Sequence, residues 1–247
     1  MPQSPSSPLI PEARAELATR LRSLWPDRPL PVAMARVDAV PAGVPQRSGA
    51  ATSACLFWRE AERGVFAVGA EHGHCPIGRL IQGFTTELPT AGELVGTMVE
   101  TGYVDPAEVA AMPALPLGHA AIVYGPLDAF PLDPEAVLLV GLPEQIMLLG
   151  EALGAARLDG PGLTVMGRPT CAAVAAAILR GEPRGSLACV GARIFAGFQP
   201  GELLMVIPAG ELGRLAGALE ATVAANQRVG GLDRELQRCL AGSVGRA

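Results

Sequence analysis

The sequence contains no lysine: all 19 of its basic residues are arginine. This excludes Schiff-base chemistry and the phosphate-binding lysine of a P-loop. Charged residues make up 17% of the chain and apolar ones 49%, the balance of a folded globular protein rather than a disordered one. The net charge is modestly negative and no basic stripe with interleaved aromatics is present, so nucleic acid is set aside as a partner. Uninterrupted apolar runs of membrane-spanning length are missing too. The longest uncharged stretch, residues 109–127, is broken by Pro113, Pro116 and Pro126, which sets a membrane span aside. The opening Met-Pro-Gln-Ser-Pro has neither a charged n-region nor an apolar h-region, so no secretory signal is read and a cytoplasmic setting is expected. Only the first ten or so residues, rich in Ser and Pro, read as loose. There is no Gly-x-Ser-x-Gly elbow, no nucleotide-binding glycine fingerprint and no Cys-x-x-Cys pair.

What is there is a pattern that reads twice. Cys55 and Cys75 in the first half are echoed by Cys171 and Cys189 in the second. Cys75-Pro-Ile-Gly-Arg79 leads to Gly83-Phe84, and Cys189-Val-Gly-Ala-Arg193 leads to Gly197-Phe198, with matching offsets. Further on, Pro89-Thr-Ala-Gly-Glu-Leu94 is answered by Pro208-Ala-Gly-Glu-Leu212. These correspondences are read as an internal duplication. One half-repeat spans residues 1–128 with an N-terminal helix, the other residues 129–247 with a C-terminal helical tail, and the two share one globular core.

Periodicity and punctuation predict helices over residues 11–25, 76–82, 92–101, 106–112, 143–156 and 171–179, with a long helix over 210–225 and a separate polar one over 232–240. Short apolar runs predict strands at 30–37, 65–70, 120–124, 136–140, 163–166 and 203–207. Strands alternating with helices give an α/β or α+β class, a mixed sheet with flanking helices.

Four cysteines in such a fold, in a reducing compartment, point to metal binding, redox chemistry or burial rather than structural disulfides. Pro76 favours the first position of a helix and so places Cys75 at the N-cap. Thr170 is read as the N-cap of the next helix, which puts Cys171 in its first turn. A thiol at a helix start is drawn toward thiolate. Arg79 and Arg193, four residues beyond Cys75 and Cys189, are the expected holders of a small anionic ligand. His72 and His74 are secondary nitrogen candidates beside Cys75. Cys239 has no counterpart and is read as incidental. Glu144 and Gln145, after Pro143, are read either as a helix start or as polar groups presented to a ligand.

Several blocks resemble the uncharacterised prokaryotic family called domain of unknown function 169, over about residues 31–219. They are Pro31-Val-Ala33, Cys55, Cys75-Pro76, Gly125-Pro-Leu127, Pro143-Glu-Gln145, Cys171, Gly181-Glu-Pro183, Ser186 and Cys189-x-Gly191-x-Arg193. Family sequences usually carry Asn before Pro-Glu-Gln and after Gly-Glu-Pro; here Leu142 and Arg184 stand there. The resemblance implies no activity.

The leading expectation is that Cys55, Cys75, Cys171 and Cys189 converge to bind an iron–sulfur cluster or another thiophilic metal. Iron–sulfur is preferred to structural zinc because a core of this size needs no metal staple. Two alternatives stand beside it. One is a metal-free protein binding a small acidic ligand in the cleft between the halves; the other is a thiol-redox enzyme.

Overall fold

In the computed structural model, residues 9–29, 31–73, 75–86 and 91–244 are described. Seven strands lie in one sheet: β1 (Val32–Val37), β2 (Phe66–Val68), β3 (Ala121–Pro126), β4 (Ala136–Gly141), β5 (Thr164–Met166), β6 (Arg184–Ser186) and β7 (Leu203–Pro208). Their order is β2-β3-β1-β4-β7-β6-β5. Neighbours are antiparallel except β5 and β6, which are parallel. Among the described residues nine α-helices accompany them: α1 (Pro11–Leu24), α2 (Ala54–Glu60), α3 (Pro76–Ile81), α4 (Ala91–Glu100), α5 (Pro106–Ala110), α6 (Pro143–Ala152), α7 (Thr170–Arg180), α8 (Val190–Ala196) and α9 (Leu212–Val244). The mixed sheet with flanking helices read from the sequence is the fold.

The sheet is apolar on both sides because helices cover both. Alternate residues of the central strands divide between two cores. Met34, Ile122, Tyr124, Leu138, Leu204 and Val206 face the layer holding α2, α3, α7 and α8. Ala33, Val123, Val137, Leu139, Met205 and Ile207 face α1, α6 and the first half of α9. A one-residue slip of any of these strands would exchange the two sets, so the two-sided packing pins the register.

On the two sides of the centre the strands follow corresponding chain positions, β2-β3-β1 inward from one edge and β6-β7-β4 inward from β5 at the other, and β1 meets β4 antiparallel between them. In sequence α2 and α3 bracket β2 as α7 and α8 bracket β6. The likeness is one of position. It stops at α4 and α5, which intervene before β3, and at β5 and α6, which have no counterpart in the first set.

Elsewhere the structure departs from the sequence reading. Residues 210–225 and 232–240 belong to one helix of 33 residues. Gly230 and Gly231 do not break it, because each glycine costs only about 1 kcal/mol relative to alanine in a helix. The helix from Pro143 ends at Ala152, where Gly154, at φ +72°, turns the chain away. β6 went unread because Arg-Gly-Ser has no strand signature, its place being given by the ladders to β5 and β7. Residues 1–8, Leu30, Pro89 and Thr90 lie outside the described residues. Among those described, no helix is long and apolar enough to cross a membrane.

Candidate functional site

Each of the four cysteines sits at the start of a helix on the same side of the sheet. Cys55 is the second residue of α2, whose N-cap Ser53 accepts the Cys55 N–H through its hydroxyl at 3.2 Å. Cys75 is itself the N-cap of α3, as its Pro76 predicts, and its sulfur accepts the Gly78 N–H at 3.3 Å. Cys171 is the second residue of α7, and Cys189 is the N-cap of α8. The position within the helix thus repeats: second residue then N-cap, twice.

Local bonds hold these starts in place. Before α2 and α3, the Ala51 N–H donates to the His72 carbonyl at 2.7 Å. Before α7 and α8, the Cys189 N–H donates to the Thr170 hydroxyl at 2.7 Å. Thr170 is therefore not the N-cap, which is Pro169; it is the first helical residue, and its side chain serves the neighbouring helix instead. Cys189 follows Ala188, a non-glycine residue in the left-handed region at φ 62°. A Cβ on Gly78 would stand 2.8 Å from that of Ala54, so glycine alone lets the start of α3 approach the start of α2.

The four sulfur-bearing residues line one cavity of about 780 Å³, within the roughly 300–1,000 Å³ range of small-molecule sites. Its walls include Met98 of α4, Met112 just past α5, and Val190, Ile194 and Phe195 of α8. The thiols sense one another. Burial pushes Cys171 well above the ordinary thiol range, and Cys55, Cys75 and Cys189 push it further. Cys55 is pushed up by burial and then by Cys189 and Cys75, while the Ser53 hydroxyl pulls it back. Burial also raises Cys75, opposed by N–H groups of Gly78, Ala54 and Ile77. No disulfide joins them. Among the described residues no group of three or more His, Cys, Asp or Glu side chains is set to hold a single metal ion.

The two arginines read from the sequence do not line this cavity. Arg193 donates to the carbonyls of Gln199, at 2.8 Å, and Leu187, at 2.5 Å, which ties the end of α8 to its own beginning. The Arg79 stem packs on Gly73, where a Cβ would meet it at 3.3 Å. The arginine on the cavity wall is Arg168, stacked over the Tyr103 ring at 4.7 Å and 3.5 Å from a Glu108 oxygen. Nothing in its sequence context marked it. Ser53, the N-cap of α2, also went unread, although serine is a favoured residue at that position. His72 is buried in a short turn, its Nδ1 accepting the Gly69 N–H at 2.9 Å; His74 lies outside the described residues. Gln145 has the helix-start role, its side chain accepting the Leu142 N–H at 2.7 Å. Cys239 is exposed on α9, apart from the other four.

Residues 28–218 match the family described as "Uncharacterised ArCR, COG2043", DUF169. The chain belongs to the DUF169 family. All four cavity cysteines of this DUF169 chain fall inside the matched segment, and Cys239 falls outside it. Over 106 residues it is 32% identical to "Uncharacterized protein MJ0308" of Methanocaldococcus jannaschii, an alignment covering 40% of this chain and 44% of that protein. The alignment thus spans less than half of that relative. No solved structure matches the DUF169 chain.

Proposed function

We propose that the protein holds an iron–sulfur cluster on the thiolates of Cys55, Cys75, Cys171 and Cys189 at the floor of the cleft. The observation that carries this reading is the gathering of four unpaired thiols, from four helix starts, onto one cavity wall. A cysteine kept only for packing is a small hydrophobe and gains nothing from proximity to other thiols. Here burial and the neighbouring thiols hold Cys55 and Cys171 protonated, a state that a thiophilic cation reverses by drawing the protons off. The upward shifts speak against Cys55, Cys75 or Cys171 as the attacking sulfur of the thiol-redox alternative, which needs a lowered pKa.

A single zinc ion needs its sulfurs about 2.3 Å from the metal, and the donor set, as placed, does not close on one ion. A cluster spreads its thiolates over several irons and so accepts a wider set. The N–H bond from Gly78 to the Cys75 sulfur is of the kind that stabilises cluster charge and tunes its potential. When bound, such a group supplies one-electron transfer or a Lewis-acidic iron.

The test is iron and acid-labile sulfide content, with a visible absorption spectrum, on protein purified without oxygen. Stoichiometric iron and sulfide are expected. They should disappear in Cys75→Ser/Cys189→Ser, which keeps its circular dichroism spectrum. Colourless protein with all four thiols free, or iron unchanged in the double variant, would overturn the proposal.

A further inference from the structure

The cleft above the cysteines has features that a metal centre does not explain. On α8, Val190, Ile194 and Phe195 line it while remaining 55%, 67% and 48% exposed. Large apolar side chains left in water along a concave wall mark a place where an apolar body lies. Set against them is one basic group. Among the described residues Arg168 is the basic side chain on the lining and Glu108 the acidic one.

Their ion pair is single and long, at 3.5 Å, with both side chains partly exposed. Glu108 also has a second commitment, its Oε2 accepting the Asp105 N–H at 2.9 Å in the capping box of α5. It therefore keeps a partner if Arg168 leaves. Arg168 meanwhile lies over Tyr103, which holds the guanidinium plane in place whichever anion it meets.

From this we infer that the cleft binds an apolar monocarboxylate, an acyl or arylalkyl acid. Its chain lies along Val190, Ile194 and Phe195, and its carboxylate replaces Glu108 on Arg168. A guanidinium fork matches a carboxylate bidentately. A phosphate dianion would meet one arginine beside one glutamate, too little positive charge for it. The inference shares its cavity with the cluster proposal but rests on different residues.

The experiment is a fluorescence titration of the purified protein with dansylaminoundecanoate and, separately, its methyl ester, with iron measured in the same preparations. The acid is expected to bind more tightly than the ester. Arg168→Met should weaken the acid by about tenfold or more, the loss of one charge-assisted pair, and leave the ester unchanged. Arg168→Lys should recover part of the loss, and Ile194→Glu should abolish both. Equal binding of acid and ester, indifference of the acid to Arg168→Met, or no fluorescence gain with either probe would overturn the inference. Acid-selective binding by iron-free protein would sustain it while removing the cluster.

Discussion

The hydroxyl of Thr170 accepts the backbone N–H of Cys189 at 2.7 Å, so the first residue of one helix fixes the N-cap of another. Thr170 is wholly buried, and the bond links two cysteine-bearing helix starts, since Cys171 is its next residue. Thr170→Val keeps the shape and removes the acceptor. With the Cys189 N–H left unpaired, a loss of about 1–3 kcal/mol is expected, measured by urea denaturation, together with a lower iron content. Thr170→Ser should retain most of both; a loss in Thr170→Ser with Thr170→Val unchanged would mean that the methyl group, not the hydroxyl, matters.

Thiol reactivity follows from the same geometry. Cys171 and Cys55 are buried and their thiols lie above the ordinary range, whereas Cys239 is exposed. Because the thiolate is the reactive form, iodoacetamide at neutral pH should label Cys239 first and Cys55 and Cys171 last, read by peptide mass spectrometry over time. Raising the pH through the ordinary thiol range near about 8.5 should hardly accelerate Cys55 and Cys171. Early labelling of Cys171 would contradict the closed setting described for it.

How much of this was readable beforehand differs by element. The strands with apolar runs, β1, β3, β4 and β7, were visible because burial on both faces leaves a continuous hydrophobic signature. The N-cap position of Cys75 was visible because Pro76 carries a local rule. The repeat offsets pointed to four cysteines that line one cavity. Arg168 was invisible, since its place depends on α4 and α5 folding over the cleft, a tertiary fact with no local trace. Arg193 misled for the converse reason: its spacing from Cys189 matched that of Arg79 from Cys75, yet its partners are two backbone carbonyls at the ends of α8. The single helix α9 was read as two, 210–225 and 232–240, yet the cost of Gly230 and Gly231 between them is small against the length on either side.

At the seam of the sheet, Arg36 of β1 grips Glu135 at the entry to β4. Its Nε lies 3.0 Å and its Nη2 2.6 Å from the carboxylate oxygens, and its own backbone N–H donates at 3.0 Å. Burial pushes the Glu135 carboxyl up, but the bonds from Arg36 outweigh it and the net shift is downward. A depressed folded pKa stabilises above the unfolded value, about 4.3, and that contribution is lost as pH falls through the folded value. The Tm difference between the parent protein and Glu135→Gln should therefore be full at neutral pH and shrink toward zero below about pH 4. His119 is lowered by burial and then by Arg36 but raised in part by Glu135, so Glu135→Gln also changes its titration, and the comparison is repeated in a His119→Gln background to isolate the carboxyl. A difference that stayed constant with pH would show that the ion pair is not the source.

Arg59 reaches from α2, the helix begun by Cys55, to the far end of α8, the helix begun by Cys189. Its Nη2 lies 2.6 Å from Glu202, its Nε donates to the Ala196 carbonyl at 3.2 Å, and its guanidinium lies 4.8 Å from the centre of the Phe198 ring. Glu202 is buried and also accepts the Gln199 N–H at 2.9 Å. Removing one member of a buried pair leaves the other charge stranded, which typically costs about 3–5 kcal/mol. Arg59→Met should approach that loss, because the next cation, Arg28, stands 3.8 Å from Glu202 and offers only partial relief. Pairing it with Glu202→Gln removes the stranded charge, so the double variant should be less destabilised than the sum of the singles. If α2 and α8 hold their cysteines in register through this bridge, Arg59→Met should also lower iron content under conditions where the protein remains folded. Additive destabilisation with full iron content would confine the pair to stability and leave the cysteine placement to the helix starts themselves.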